Sequence, residues 1–188
     1  MGVTKYPIMD EGFALKVLGA CKDVEERGLV KLLMLTGMHI SVITGVDFIS
    51  KKKSTFGQRI VRPPLSSSDV IKQGSQYIVR WIRPKTTKTL EHYIPKADIE
   101  DIKAFLEMKH KTRQHYFNMV KAIGERAGYD SVSPMTFRHN RCIRALTIEN
   151  RQIWEIPHVM GCTLEVASRN YSKKRDLEQV QGENELGK

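Results

Sequence analysis

The sequence predicts an α+β domain, mainly α, in which a small antiparallel sheet of about three strands lies between two helical segments. Three observations predict it. Residues 10–43 and 98–171 carry apolar side chains at helical spacing, punctuated by Asp, Ser, Thr and Gly. Residues 47–97 instead hold short β-branched and aromatic runs, broken at Gly57, Pro63-Pro64 and Gly74. At 188 residues and 40% hydrophobic content the chain is large and apolar enough for one well-buried core.

The elements follow in order. Asp10 caps a first helix with Ala14, Val17, Leu18 and Cys21 on its apolar face. Leu29 to Leu35 is apolar nearly all round, so its helix is central and buried, and Thr36-Gly37 ends it. A short helix follows at Ile40–Ile43. Strands are expected at Phe48-Ile49, Ile60-Val61 and Tyr77–Ile82, with His92–Ile94 returning after a turn over Pro84–Thr89. Helix resumes at Asp98, with Ile99, Ile102, Phe105, Leu106 and the Lys109 stem inward. The next helix, about 113–127, turns Tyr116, Phe117, Val120 and Ile123 inward and closes at Gly128. Ser133-Pro134 is a helix start, with Ser as N-cap and Pro in the first turn. A short helix over 153–160, disturbed by Pro157, ends at Gly161, and Thr163 caps the last helix. The domain is expected to span 1–175, followed by a charged tail over 176–188.

Charge is unevenly placed. The net charge is +10; residues 51–97 hold eleven Lys/Arg against two acids, residues 133–175 sum to +5, and the tail sums to −3. Basic charge gathered in two blocks is the footprint of a phosphate-backbone binder. No run approaches the roughly 18 apolar residues of a membrane span, and the first residues have no apolar signal core. Cys21, Cys142 and Cys162 are widely spaced, with no CxxC pair, which suits a reducing interior. No phosphate-binding glycine loop or zinc-spaced cluster is present, and the scattered acids do not support a two-metal nuclease.

Three segments carry chemistry: Leu33-Met-Leu-Thr-Gly37-Met-His39-Ile-Ser41, Pro134-Met-Thr-Phe-Arg138-His139, and Gly161 through Tyr171, with the tyrosine ten positions after the glycine. In this order, with a basic hairpin between the first two, they resemble the three motif boxes of the tyrosine recombinase (phage integrase) catalytic domain. The resemblance runs from about Ile8 to Ser172. It departs from the family at His39, where arginine is usual, at Met135, where histidine is usual, and at Cys162, where histidine or tryptophan is usual. The first-box histidine is similar to that of some archaeal integrase-like proteins.

The resemblance implies a site-specific recombinase or integrase of a mobile element, acting on double-stranded DNA. It would self-associate on DNA as a dimer or tetramer, be cytoplasmic and nucleoid-associated, and require neither metal nor nucleotide. Tyr171 would be the nucleophile and Arg138 the phosphate fork. His39 would add charge when protonated, and His139 would accept a proton or donate to phosphate. Lys85, with Lys88 as its rival, would protonate the leaving oxygen. Lys51, Lys52, Lys53, Lys88 and Arg141 would track the DNA backbone, and His158 is a lesser candidate for the missing imidazole. Two other readings share these residues: a catalytically weakened DNA-binding relative, and a type IB topoisomerase-like enzyme. Only about nine residues precede the first helix, where the family usually has a DNA-clamp domain, so a fragment or a minimal enzyme is expected.

Overall fold

A computed structural model of the chain describes residues 11–49, 56–83 and 88–171. Asp10, Lys51, Lys52, Lys53, Lys85 and the tail 176–188 lie outside the described residues, as does most of the Pro84–Thr89 turn.

Helix α1 (Glu11–Gly19) buries Phe13 and Val17, and Cys21 lies just past its end. Helix α2 (Val24–Thr36) starts at Asp23, whose carboxylate accepts the Glu26 N–H at 2.9 Å; Glu26 in turn accepts the Lys22 N–H. The Asp23 carboxylate satisfies a donor that the first helical turn leaves unpaired, and Glu26 holds the chain just before the cap. Leu29, Val30, Leu32 and Leu33 are wholly buried, and α2 packs against α1 and against three later helices, α4 (Ile99–Glu107), α5 (Arg113–Arg126) and α6 (Pro134–Thr147). It is the central helix that its apolar circumference predicts. Gly37 ends it in the left-handed region, φ 58°, with its N–H on the Leu33 carbonyl. Helix α3 follows at Ile40–Ile43.

The strands fall into two sheets rather than one. Strands β1 (Val46–Ile49) and β2 (Arg59–Arg62) pair only with each other, in the register Val46↔Arg62 to Ile49↔Arg59. The three-stranded antiparallel sheet is β3 (Val70–Gln73), β4 (Gln76–Ile82) and β5 (Thr89–Ile94), in that order. Its third member, β3, is four residues long and carries only Val70 and Ile71 as a β-branched signal. Strand β5 alternates strictly, burying Leu90, His92 and Ile94, while Val79 and Trp81 of β4 are buried beside them.

Helices α4 and α5 bury Ile99, Ile102, Phe105, Leu106, Tyr116, Val120 and Ile123 as expected. Phe117 is 42% exposed, and Lys109 lies beyond the end of α4. The reason is angular: Phe117 follows Tyr116 by about 100° around a helix of 3.6 residues per turn, and the inward stripe is set by Tyr116, Val120 and Ile123.

Helix α6 begins as predicted, with the Ser133–Thr136 capping box and Pro134 in the first turn. Pro157 lies in the first turn of α7 (Ile156–Met160), where a missing N–H costs nothing, so it starts the helix instead of disturbing it. Residues 164–171, here α8, form the last described helix; the Thr163 hydroxyl accepts the Val166 N–H at 3.3 Å. Two cores result. The larger joins α1–α5 with the sheet. The smaller is Cys142, Ala145, Leu146, Ile156, Met160, Ala167 and Tyr171, so the tyrosine ring is a packing element of its own corner.

Candidate active site

Helix α6 gathers the site. Its capped N-terminus fixes Arg138 one turn in, facing the loop after α2. Arg138 is 8% exposed, and its two terminal nitrogens each donate at 2.8 Å to a main-chain carbonyl, Nη1 to Gly37 and Nη2 to Met160. The first two motif segments and the residue just before the third thus meet at one guanidinium. A guanidinium has five N–H donors, so three remain for a ligand. Burial depresses the Arg138 pKa from its ordinary value; the groups that act on its charge are Cys162, Tyr171, Arg83 and Cys142, with no carboxylate among them.

Tyr171 is 6% exposed, and its hydroxyl lies 2.9 Å from His139 Nδ1, the rings 5.5 Å apart between centroids. Burial raises the phenol pKa well above its ordinary value; the nearby Cys142 adds to this and Arg138 opposes it. The proton therefore stays on the resting phenol, and His139 is the base within reach of it.

Gly37 and Gly161 allow these approaches. A Cβ on Gly37 would come within 3.2 Å of the Arg138 Cα and 2.7 Å of Met160. Gly161, at φ 60°, closes α7 with its N–H on the Pro157 carbonyl; a Cβ there would lie 2.7 Å from Leu90 and 3.3 Å from Arg83 Cδ. Both glycines hold a left-handed turn that other residues adopt at a cost.

The remaining predicted residues are placed as follows. His39 caps the start of α3 through its backbone and is exposed, two residues beyond the Gly37 carbonyl that Arg138 holds. Lys88 is exposed at the base of the β4–β5 hairpin, its carbonyl accepting the Arg83 N–H at 3.1 Å. Arg141 is committed within the protein: Nε donates to the Leu35 carbonyl at 2.9 Å, and its terminal nitrogens pair with Glu149. His158 is exposed on α7 near Glu155, and Met135 is half-buried. Cys162, half-buried beside Arg138, has its thiol pKa pushed up by burial. Arg83 is the site neighbour that sequence reasoning missed; a single arginine before Pro84 carries no motif signal.

A cleft of about 170 Å³ between α3 and the sheet, lined by Ser41, Arg62, Trp81 and Thr89 among others, contains none of Arg138, His139 and Tyr171. Among the described residues no group of His, Cys, Asp and Glu is arranged to hold a metal ion, and no helix is long and apolar enough to cross a membrane.

The fold has solved counterparts. The crystal structure of XerA recombinase matches over 94% of this chain and 65% of its own, with a TM-score of 0.66 and 16% identity. XerH site-specific recombinase bound to difH substrate, in a pre-cleavage complex, matches over 89% and 50%, at TM-score 0.62 and 15% identity. The Tn1549 transposon integrase in complex with transposon right end DNA matches over 96% and 67%, at TM-score 0.62 and 14% identity. The chain spans about half to two-thirds of the length of these proteins. No family model and no curated protein sequence matches it. The likeness is one of architecture: a mainly helical α+β domain with a small three-stranded antiparallel sheet, built like a tyrosine recombinase catalytic domain.

Proposed function

We propose that this chain cleaves and rejoins double-stranded DNA at specific sites, as an integrase or recombinase of a mobile element, through a 3′-phosphotyrosine intermediate. The observation that carries the reading is the Tyr171 hydroxyl 2.9 Å from His139, on the helix turn next to a buried Arg138 that still has donors to offer. The Tyr171 oxygen attacks phosphorus as His139 takes its proton. The bond from phosphorus to the 5′ oxygen breaks, and that oxygen takes a proton from a hairpin lysine, Lys85 or Lys88. Arg138 neutralises charge on the non-bridging oxygens, and its planar fork suits two of them. The bond energy is kept in the phosphotyrosine, so reversal onto a partner strand needs no nucleotide. The DNA-bound neighbours, XerH and the Tn1549 integrase, support DNA as the partner, and self-association on DNA follows from exchange between two duplexes.

A nicked duplex that loses its cleaved 5′ fragment traps the covalent complex. Tyr171→Phe should retain DNA binding and form no trapped complex; trapping by that variant would remove Tyr171 from the role. A second reading, a DNA-binding relative with weakened chemistry, is favoured by the burial of Tyr171 and its firmly held proton. It predicts sequence-specific binding with no trapped complex even from the wild type.

A further inference from the structure

We propose that Arg83, at the end of β4, is a second guanidinium of the same oxyanion site and contacts the phosphodiester beside Arg138. This rests on the reading of the Tyr171 site as a phosphodiester site, and it adds a residue that none of the three motif segments contains.

The geometry starts at the turn after α7. Arg138 Nη2 donates to the Met160 carbonyl, and the Arg83 stem packs on the next residue, its Cδ 3.3 Å and Cγ 3.8 Å from where a Gly161 Cβ would stand. The two arginines therefore come to one turn from two elements, α6 and the β4–β5 hairpin. The absence of side-chain bulk at Gly161 lets the hairpin arginine approach. Cys162 follows directly, and both guanidinium charges act on its thiol.

Charge balance points to the ligand. The other arginines nearby are compensated: Arg80 by Glu91, Arg141 by Glu149 and Arg151 by Glu155. Among the described residues no carboxylate is in ion-pair contact with Arg83 or Arg138, and Arg83 raises the cost of charge on Arg138. Two cations that repel each other at one half-buried turn are stabilised by an anion placed between them. A tetrahedral oxyanion fits, because each guanidinium can take a different non-bridging oxygen. This also bears on the substituted positions. His39 is a cation only when protonated and Cys162 is a poor donor, so a permanent charge from the hairpin supplies what both lack.

The test uses the whole chain and inorganic phosphate, with ionic strength held constant by chloride. Phosphate should raise the melting temperature of the wild type. The half-saturating concentration should rise about tenfold or more in Arg83→Gln, as expected for loss of a charge-assisted hydrogen bond. Arg83→Lys, which keeps the charge and loses the fork, should fall between. Arg80→Gln, on the same strand but paired with Glu91, should match the wild type. Equal half-saturation in wild type and Arg83→Gln overturns the inference, as does a wild type that phosphate does not stabilise. The parent reading fails differently: if phosphate binds through Arg83 and Arg138 but the wild type traps no nicked DNA, the oxyanion site stands and the nucleophile does not.

Discussion

Replacing His92 by Phe should remove most of an acid sensitivity built into the sheet. His92 lies on the buried face of β5, 7% exposed, stacked on Trp81 with the ring planes 11° apart. Burial, and then the charge of Arg141, push its pKa down from 6.5 to about 4. The sign follows from proton counting. The folded chain keeps the imidazole neutral down to about pH 4, while the unfolded chain protonates it near pH 6.5. Between those values the unfolded state binds the extra proton, so the His92 contribution is complete above about pH 6.5 and is lost as pH falls toward 4. At about 1.4 kcal/mol per pH unit, a window of roughly 2.5 units amounts to about 3.5 kcal/mol, of which about 3 kcal/mol is lost by pH 4, a large share of a typical stability of about 5–15 kcal/mol. Phenylalanine keeps the ring against Trp81, and His92 Nε2 has no hydrogen-bond partner to lose. Urea unfolding at several pH values between 7 and 4 would give both curves; groups common to both chains cancel in the difference. Toward acid the wild type should lose about 3 kcal/mol more than the variant, so the two curves diverge. A difference constant to within about 1 kcal/mol across that window would refute the reasoning, because it would mean the imidazole titrates alike in both states.

Gly161→Ala should lower stability by about 1–2 kcal/mol for the left-handed turn alone, with more from the overlap at Leu90; thermal unfolding reads this directly. The same variant should slow covalent trapping per folded molecule, since the turn separates Arg138 from Arg83. Neutralising Lys51, Lys52 and Lys53 together should weaken DNA binding alike on all sequences and flatten the salt slope by roughly one unit per lost phosphate contact; an unchanged slope would mean that these lysines face solvent. His39→Arg should maintain or raise cleavage and make it less dependent on pH between about 6 and 8, because guanidinium does not titrate there; a pH profile identical to wild type would take His39 out of the charge balance.

What was legible in the sequence depended on how local the signal was. Helix α2 is written in its all-round apolar face and Gly37, α3 in Ile40–Ile43, and the start of α6 in Ser133-Pro134; each is specified within about a dozen residues. Strand pairing is not local. Phe48-Ile49 and Ile60-Val61 read as members of one sheet with Tyr77–Ile82, yet β1 and β2 pair apart, and the sheet is completed by Val70–Gln73. Short β-branched runs do not state their partners, and nothing in Val70-Ile-Lys-Gln73 distinguishes a strand from a loop beside Gly74. The motif segments located Arg138, His139 and Tyr171. They were silent on what Arg138 holds, on the commitment of Arg141 to Leu35 and Glu149, and on Arg83, because those relations exist only after packing.

The two carbonyls on Arg138 make the site an interlock. Gly37 and Met160 stand 101 and 22 residues from the arginine along the chain, so the guanidinium is aimed only when the segments around all three have docked. A partly folded or clipped chain keeps its net positive charge, but it has no oriented fork for the phosphodiester that the proposed reading places there. If the site cleaves DNA as proposed, that capacity is tied to completed folding, and damaged copies would bind DNA without nicking it.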